Sequence, residues 1–225
     1  MESRQQAGPP PPSRLNATPH ERSWPHHSTP PTMAPNTTST QRRNNPVPHI
    51  TIAGDLPGIR GLMTDHPESA APLNAIADAL LRGPSPLPRG ERELIATYVS
   101  ELNRTRFCSD THGAAAAAQL DGGPDLVKAV QQDADTAPLS PLLRALLRIA
   151  AEVQAAARPV ADETIAAARA EGATDDHIHD TVLIAAAFCM YNRYVSGLAT
   201  SLPTEPGYYE EAGRRITTHG YARAV

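Results

Sequence analysis

Glu91-Arg92-Glu93-Leu94-Ile95-Ala96-Thr97-Tyr98-Val99-Ser100-Glu101-Leu102-Asn103-Arg104-Thr105-Arg106-Phe107-Cys108-Ser109-Asp110-Thr111-His112 is the stretch on which the fold turns. Its first half carries Leu94, Ile95, Tyr98, Val99 and Leu102 at helical spacing, a clean apolar stripe. Its second half opens a helical pattern over 107–120 that holds the alanine run Ala114–Ala118 and stops at Gly122-Gly123-Pro124. Alanine is the best helix former, and its small side chain lets a helix approach its neighbours closely. Two helices reversing near Asn103-Arg104 are expected.

Outward from this pair, helical periodicity dominates. Residues 72–82 carry Leu73, Ile76, Ala77, Leu80 and Leu81 and are closed by Gly83-Pro84. Leu142–Ala157 is apolar at Leu142, Leu143, Leu146, Leu147, Ile149, Ala150 and Val153. A shorter helix is expected over 161–171, ended by Gly172. Thr174 caps a long segment from Asp175 to about Thr200, with Ile178, Val182, Ala186, Cys189 and Arg193 along one face. Asp175-Asp176 in its first turn suit the helix dipole. Before all of these, Ile50-Thr51-Ile52-Ala53 reads as a short extended piece, and 55–62 as a turn-rich entry around Pro57-Gly58. Period-two alternation is nearly absent after residue 55, and no internal repeat occurs. The fold is expected to be all-α, a compact helical domain over 49–225.

Residues 1–48 differ in kind. The large aliphatics there are Leu15 and Val47, while 11 of the chain's 23 prolines fall in this stretch. So little apolar surface cannot offset ordering entropy, and a disordered, Pro-rich tail is expected. The tail carries a net +3 and the remainder −7. So acidic a domain offers no electrostatic footprint for nucleic acid. The tail is read as a solvated extension, with Arg42-Arg43 its only basic doublet; Met33 offers an alternative start. No signal-peptide apolar segment and no run of membrane-spanning length is read, so no membrane contact and a cytoplasmic location are expected.

Two cysteines, Cys108 and Cys189, are too few for a disulfide framework or a thiolate metal cage. His177 and His179 point apart on a helix without an evident third ligand, so a solvated helix start is the default and no metal or cofactor is expected. Asn192-Arg193 in an otherwise apolar helix calls for a partner, an interhelix or intersubunit hydrogen bond first and pocket lining second. Alanine-rich helices bury little area each, and residues 49–225 contain two Phe and no Trp. Such a core gains from a shared interface, so a homo-oligomer is expected.

Cys108 and His112 lie four residues apart, on one helical face. With the reversal near Asn103, Glu93 lies about 15 Å back along the first helix and His112 about 12 Å down the second. The two sit nearly level, which can place a carboxylate, an imidazole and a thiol in one pocket. Near a helix N-terminus the thiol is expected to ionise readily. His112 can take its proton, Glu93 can orient the imidazole, and the thiolate can attack peroxide oxygen or a disulfide sulfur. Bland alternatives stand beside this: a packing cysteine on an alanine-rich helix, a half-buried histidine, and a surface glutamate in a charged run. Pattern alone leaves the choice open.

The spacing of Glu93, Thr105, Cys108 and His112 resembles the Glu…Cys-x-x-Cys-x-x-x-His signature of alkylhydroperoxidase D-like proteins in the carboxymuconolactone decarboxylase superfamily. Leu56-Pro57-Gly58-Ile59, Leu80–Ser85, Glu91–Ala96, Ala187-Phe188 and Tyr191–Tyr194 resemble its peroxidase-related subgroup. The resemblance spans roughly residues 49–205. It implies an all-α fold, a homo-oligomer and thiol-dependent peroxidase or disulfide reductase activity. It also implies Cys108 as the peroxidatic cysteine, with Glu93 and His112 supporting it. The resolving cysteine falls at Thr105, which cannot form a disulfide with Cys108. A small-molecule thiol or protein reductant is therefore implied, with Cys189 read as packing. Thr105 and Asn103 are read as supporting residues, and the substrate as a peroxide or other small electrophile. Two alternatives are a cofactor-free lyase or isomerase using Glu93 and His112, and a non-catalytic helical oligomer.

Overall fold

A computed structural model describes residues 45–52, 54 and 56–221, all within one compact unit over residues 40–225. The tail expected over 1–48 therefore falls, for residues 1–44, outside the described residues. Described residues 45–49 lie along the 198–202 loop: Asn45 Nδ2 donates to the Leu202 carbonyl at 2.8 Å, and the His49 N–H to that of Leu198 at 3.0 Å.

Among the described residues the chain forms nine helices and no strand. They are α1 (Ile59–Asp65), α2 (Pro67–Arg82), α3 (Arg89–Leu102), α4 (Arg106–Ala117), α5 (Gly123–Gln132), α6 (Pro141–Ala155), α7 (Asp162–Ala170), α8 (Asp175–Gly197) and α9 (Tyr208–His219). The all-α expectation holds. None of these helices is long and apolar enough to cross a membrane.

Helix α3 is the axis of the domain, packed on α4, α6 and α8. Leu94, Ile95, Ala96 and Val99 are fully buried against Leu146, Ile149 and Ala150 of α6 and Ile184, Ala185 and Phe188 of α8. Arg92 is also buried, and its guanidinium donates to the carbonyls of Leu80 and Gly83 at the end of α2. A cation there complements the carbonyl end of a helix.

The α3–α4 reversal falls at Asn103-Arg104. The Arg104 N–H bonds the Glu101 carbonyl at 2.8 Å and the Thr105 N–H that of Ser100 at 2.9 Å. That paired pattern is a Schellman ending, with Arg104 at φ 54° in the place glycine usually takes. Thr174 caps α8 by accepting from the His177 N–H, and Ser140 caps α6 from Leu143 at 3.1 Å.

Three helices depart from the sequence reading. Helix α1 replaces the expected turn-rich entry, and α5 and α9 stand where no helix was assigned. Helix α5 has only Val127 and Val130 buried, too short a stripe to register as periodic. The face assigned to α8 is also corrected. Its buried side is Thr181, Ile184, Ala185, Phe188, Tyr191, Asn192 and Val195, whereas Ala186 and Arg193 are exposed. A helix apolar nearly all round offers periodicity no single face to select.

Candidate functional site

The α3–α4 hairpin sets the site. Glu93, on the buried side of α3, accepts at Oε2 from Nδ1 of His112 at 2.8 Å. Edge-on to the imidazole lies the Phe188 ring of α8, centroids 4.6 Å apart. His112 and Cys108 both line a cavity of about 110 Å³, with Phe107, Phe188 and Tyr191 among its apolar walls. Glu93 stands behind His112, outside the lining. Arg60 of α1 and Arg215 of α9 also border the space.

Tyr221, just past α9, completes this corner. Its hydroxyl donates to Oε1 of Glu93 at 2.6 Å and lies 3.2 Å from Nδ1 of His112. Its ring stacks on the imidazole at 5.9 Å, nearly parallel. Burial, then the Glu93 carboxylate, push the phenol well above its usual range, so it remains a donor.

Cys108 contradicts one expectation. It is only 4% exposed, and burial pushes its thiol up to about 12, against a smaller downward pull from the Asn192 amide. The resting thiol is therefore neutral rather than easily ionised. Desolvation outweighs the helix N-terminus.

The supporting residues sit elsewhere. Thr105 is buried with its hydroxyl 2.9 Å from that of Ser196, and among the described residues it forms no hydrogen bond to Cys108. Asn103 joins three helices. Its Nδ2 donates to Oδ1 of Asn192 at 2.9 Å and contacts Sγ of Cys189 at 3.7 Å, while Oδ1 accepts from Gln154 at 2.9 Å. Asn192 in turn donates to Oγ of Ser100 at 3.0 Å, the interhelix partner its sequence context called for. Arg193 instead bonds the Cys189 carbonyl of its own helix. His177 belongs to the α8 cap, and no group of His, Cys, Asp or Glu among the described residues is arranged to hold a metal ion.

Sequence reasoning passed over Tyr221, Arg60 and Arg215. A lone tyrosine past an unassigned helix carries no local signal, and nothing in its spacing connects it to Glu93.

The site thus sets a carboxylate–imidazole pair beside a cysteine-lined cavity in an all-helical domain. Residues 67–152 match the sequence model of the carboxymuconolactone decarboxylase family, a span that holds Glu93, Cys108 and His112. A crystal structure described as an alkylhydroperoxidase AhpD core, an uncharacterized peroxidase-related protein from Ralstonia eutropha JMP134, is similar at 28% identity and TM-score 0.63, over 72% of this chain and 83% of that one. An uncharacterized peroxidase-related protein from Silicibacter sp. TM1040 is similar at 29% identity and TM-score 0.61, over 68% of this chain and 80% of that one. A putative antioxidant defence protein AhpD from Agrobacterium tumefaciens, at 20% identity and TM-score 0.56, covers 64% of this chain and 97% of its own, and shares the fold. No curated protein matches the chain. The family match over 67–152 and these structural neighbours together support a likeness to the carboxymuconolactone decarboxylase superfamily and its alkylhydroperoxidase D-like, peroxidase-related proteins.

Proposed function

We propose that the protein is a thiol-dependent, peroxidase-type oxidoreductase with Cys108 as nucleophile, His112 as base and Glu93 as its orienter. The observation that carries this reading is that His112, held by Glu93 at 2.8 Å from behind, lines the same cavity as Cys108. Because the resting thiol is neutral, its proton passes to His112 as peroxide enters. The sulfur lone pair attacks one peroxide oxygen. The S–O bond forms, the O–O bond breaks, and the departing oxygen takes the proton from the imidazolium to leave as alcohol or water. Sulfur is oxidised to a sulfenic acid and the peroxide is reduced.

Thr105 cannot resolve that sulfenic acid. An external thiol condenses with it, releasing water and leaving a mixed disulfide. A second thiol then frees Cys108 and departs as the oxidised disulfide. The reductant is a small-molecule thiol or a partner protein, and the working form is a cytoplasmic homo-oligomer. A dimedone-type probe at micromolar peroxide tests the reading: labelled Cys108 is expected. An unlabelled Cys108 beside a control peroxidase that is modified overturns it.

The burial of Cys108 favours a second reading, a cofactor-free lyase or isomerase in which Glu93 and His112 move a proton without a thiolate. The two readings part on mutants. Proton transfer predicts that Cys108→Ser keeps activity and His112→Ala abolishes it, whereas the thiol route fails in both.

A further inference from the structure

Gly220, at φ 76°, turns the chain out of α9 and delivers Tyr221 to the Glu93–His112 pair. Proton counting then assigns the histidine. Glu93, as a carboxylate, only accepts, so the 2.6 Å contact at Oε1 takes the single phenolic proton. Nδ1 of His112 must carry hydrogen to meet Oε2 at 2.8 Å, since two lone pairs repel at that distance. Neutral His112 is thus the Nδ1–H tautomer, with the Nε2 lone pair bare. Among the described residues Nε2 has no hydrogen-bond partner, and the ring borders the cavity.

We propose that Tyr221 is a positioning residue: it holds Glu93 and His112 in the arrangement that presents a basic nitrogen to the cavity. This rests on the reading of His112 as the base, and it serves the peroxidase and proton-transfer routes alike. The residue lies outside the family match at 67–152.

The helix that grips it is α2. Oδ1 of Asp78 accepts the Tyr221 N–H at 3.1 Å and pairs with Arg82 at 3.5 Å. Arg82 in turn donates to the carbonyls of Ile216 at 2.9 Å and Thr217 at 3.1 Å at the end of α9. A methyl group on Gly220 would collide with both Asp78 and Arg82, so the segment seats closely on α2.

Other titratable groups line the cavity that the imidazole borders. They are Cys108 from its own helix, Tyr191 from α8, Arg60 from α1, and Tyr208 and Arg215 from α9. Asp78 and Arg82 stand behind the tyrosine. All of these are retained in Tyr221→Phe, so their influence is common to wild type and variant.

The test is nitrogen-15 NMR of histidine-labelled, full-length protein, with His112→Gln used to identify the signal. Wild type is expected to show the Nδ1–H tautomer in the neutral ring. Tyr221→Phe keeps the ring stack but removes the donor, leaving the Glu93 charge to His112 alone and favouring the imidazolium. Its imidazolium fraction at a given pH should rise. The ascending limb of Cys108 labelling against pH should move up by about one unit, a roughly tenfold loss on that limb. Asp78→Ala, outside the cavity, should move both readouts in the same direction by releasing the segment. An Nε2–H tautomer in wild type, or spectra and pH profile unchanged in Tyr221→Phe, overturns the proposal. The spectra need no turnover. A Cys108 inert to peroxide would therefore end the peroxidase reading, while the NMR alone would still decide the role of Tyr221.

Discussion

Cys108 is the third residue of α4, where free backbone N–H groups favour an anion by about 0.3–1 kcal/mol. Burial acts against this and is larger. Raising the thiol from 9.0 to about 12 corresponds to roughly 4 kcal/mol against the thiolate, on the scale of about 1.4 kcal/mol per unit. That sets a pH dependence whose sign follows from linkage. The folded state keeps its proton where the unfolded chain has lost it, so stability is intact below the unfolded value of 9.0 and drains as pH climbs towards about 12. Cys108→Ser removes the titrating group. Denaturant unfolding near pH 10 should show wild type losing about 1 kcal/mol more than the variant, relative to neutral pH. Buried tyrosines titrate alike in both proteins and cancel. An alkaline loss of equal size in the two would mean the thiol is not buried as described. At this scale Glu93 and His112 were legible in the sequence because both flank one short reversal. Tyr221 was not, since it meets Glu93 across 128 residues.

Helix α9 crosses α4 where both are stripped of bulk. A Cβ added at Gly213 would lie 2.7 Å from the Ala114 carbonyl carbon and 2.9 Å from its Cβ, and backbone cannot yield as a flexible side chain does. Alanine would gain about 1 kcal/mol in helix propensity, whereas overpacking costs about 1–3 kcal/mol and here must shift a helix. Gly213→Ala should therefore lower Tm by a few degrees, on the scale of about 2–4 °C per kcal/mol for a domain this long. It should also weaken activity by lifting Tyr221 from its seat, which calorimetry and the His112 spectra would show together. A Tm at or above wild type would show that α9 has room to move. The alanine run was readable as a surface for close approach. Which helix approaches was not, because α9 carries many polar residues and only Ala212, Gly213 and Ile216 are buried. The α3–α4 ending was placed correctly without a glycine, since the Schellman bonds compensate Arg104.

Among the exposed large apolar side chains of the described residues, two share one outer strip of α8. Leu183 and Met190 of α8 are 42% and 43% exposed, two turns apart on one face, with exposed Ala186 between them. We propose that this strip contributes to the expected homo-oligomer. Leu183→Glu with Met190→Glu should shift sedimentation towards monomer while the helical circular dichroism is kept, since both sites are already solvent-facing. Wild type sedimenting only as a monomer would refute the assembly. The amino-acid order by itself determined the helical class, the hairpin reversal, and the levelling of Glu93 with His112, because each depends on spacing within a few turns. Tertiary structure alone decided that the thiol is buried, that Thr105 bonds Ser196 instead of sulfur, and that a tyrosine far along the chain closes on the Glu93–His112 pair. Burial and long-range hydrogen bonds arise only when distant helices meet, and local periodicity carries no term for which helices those will be.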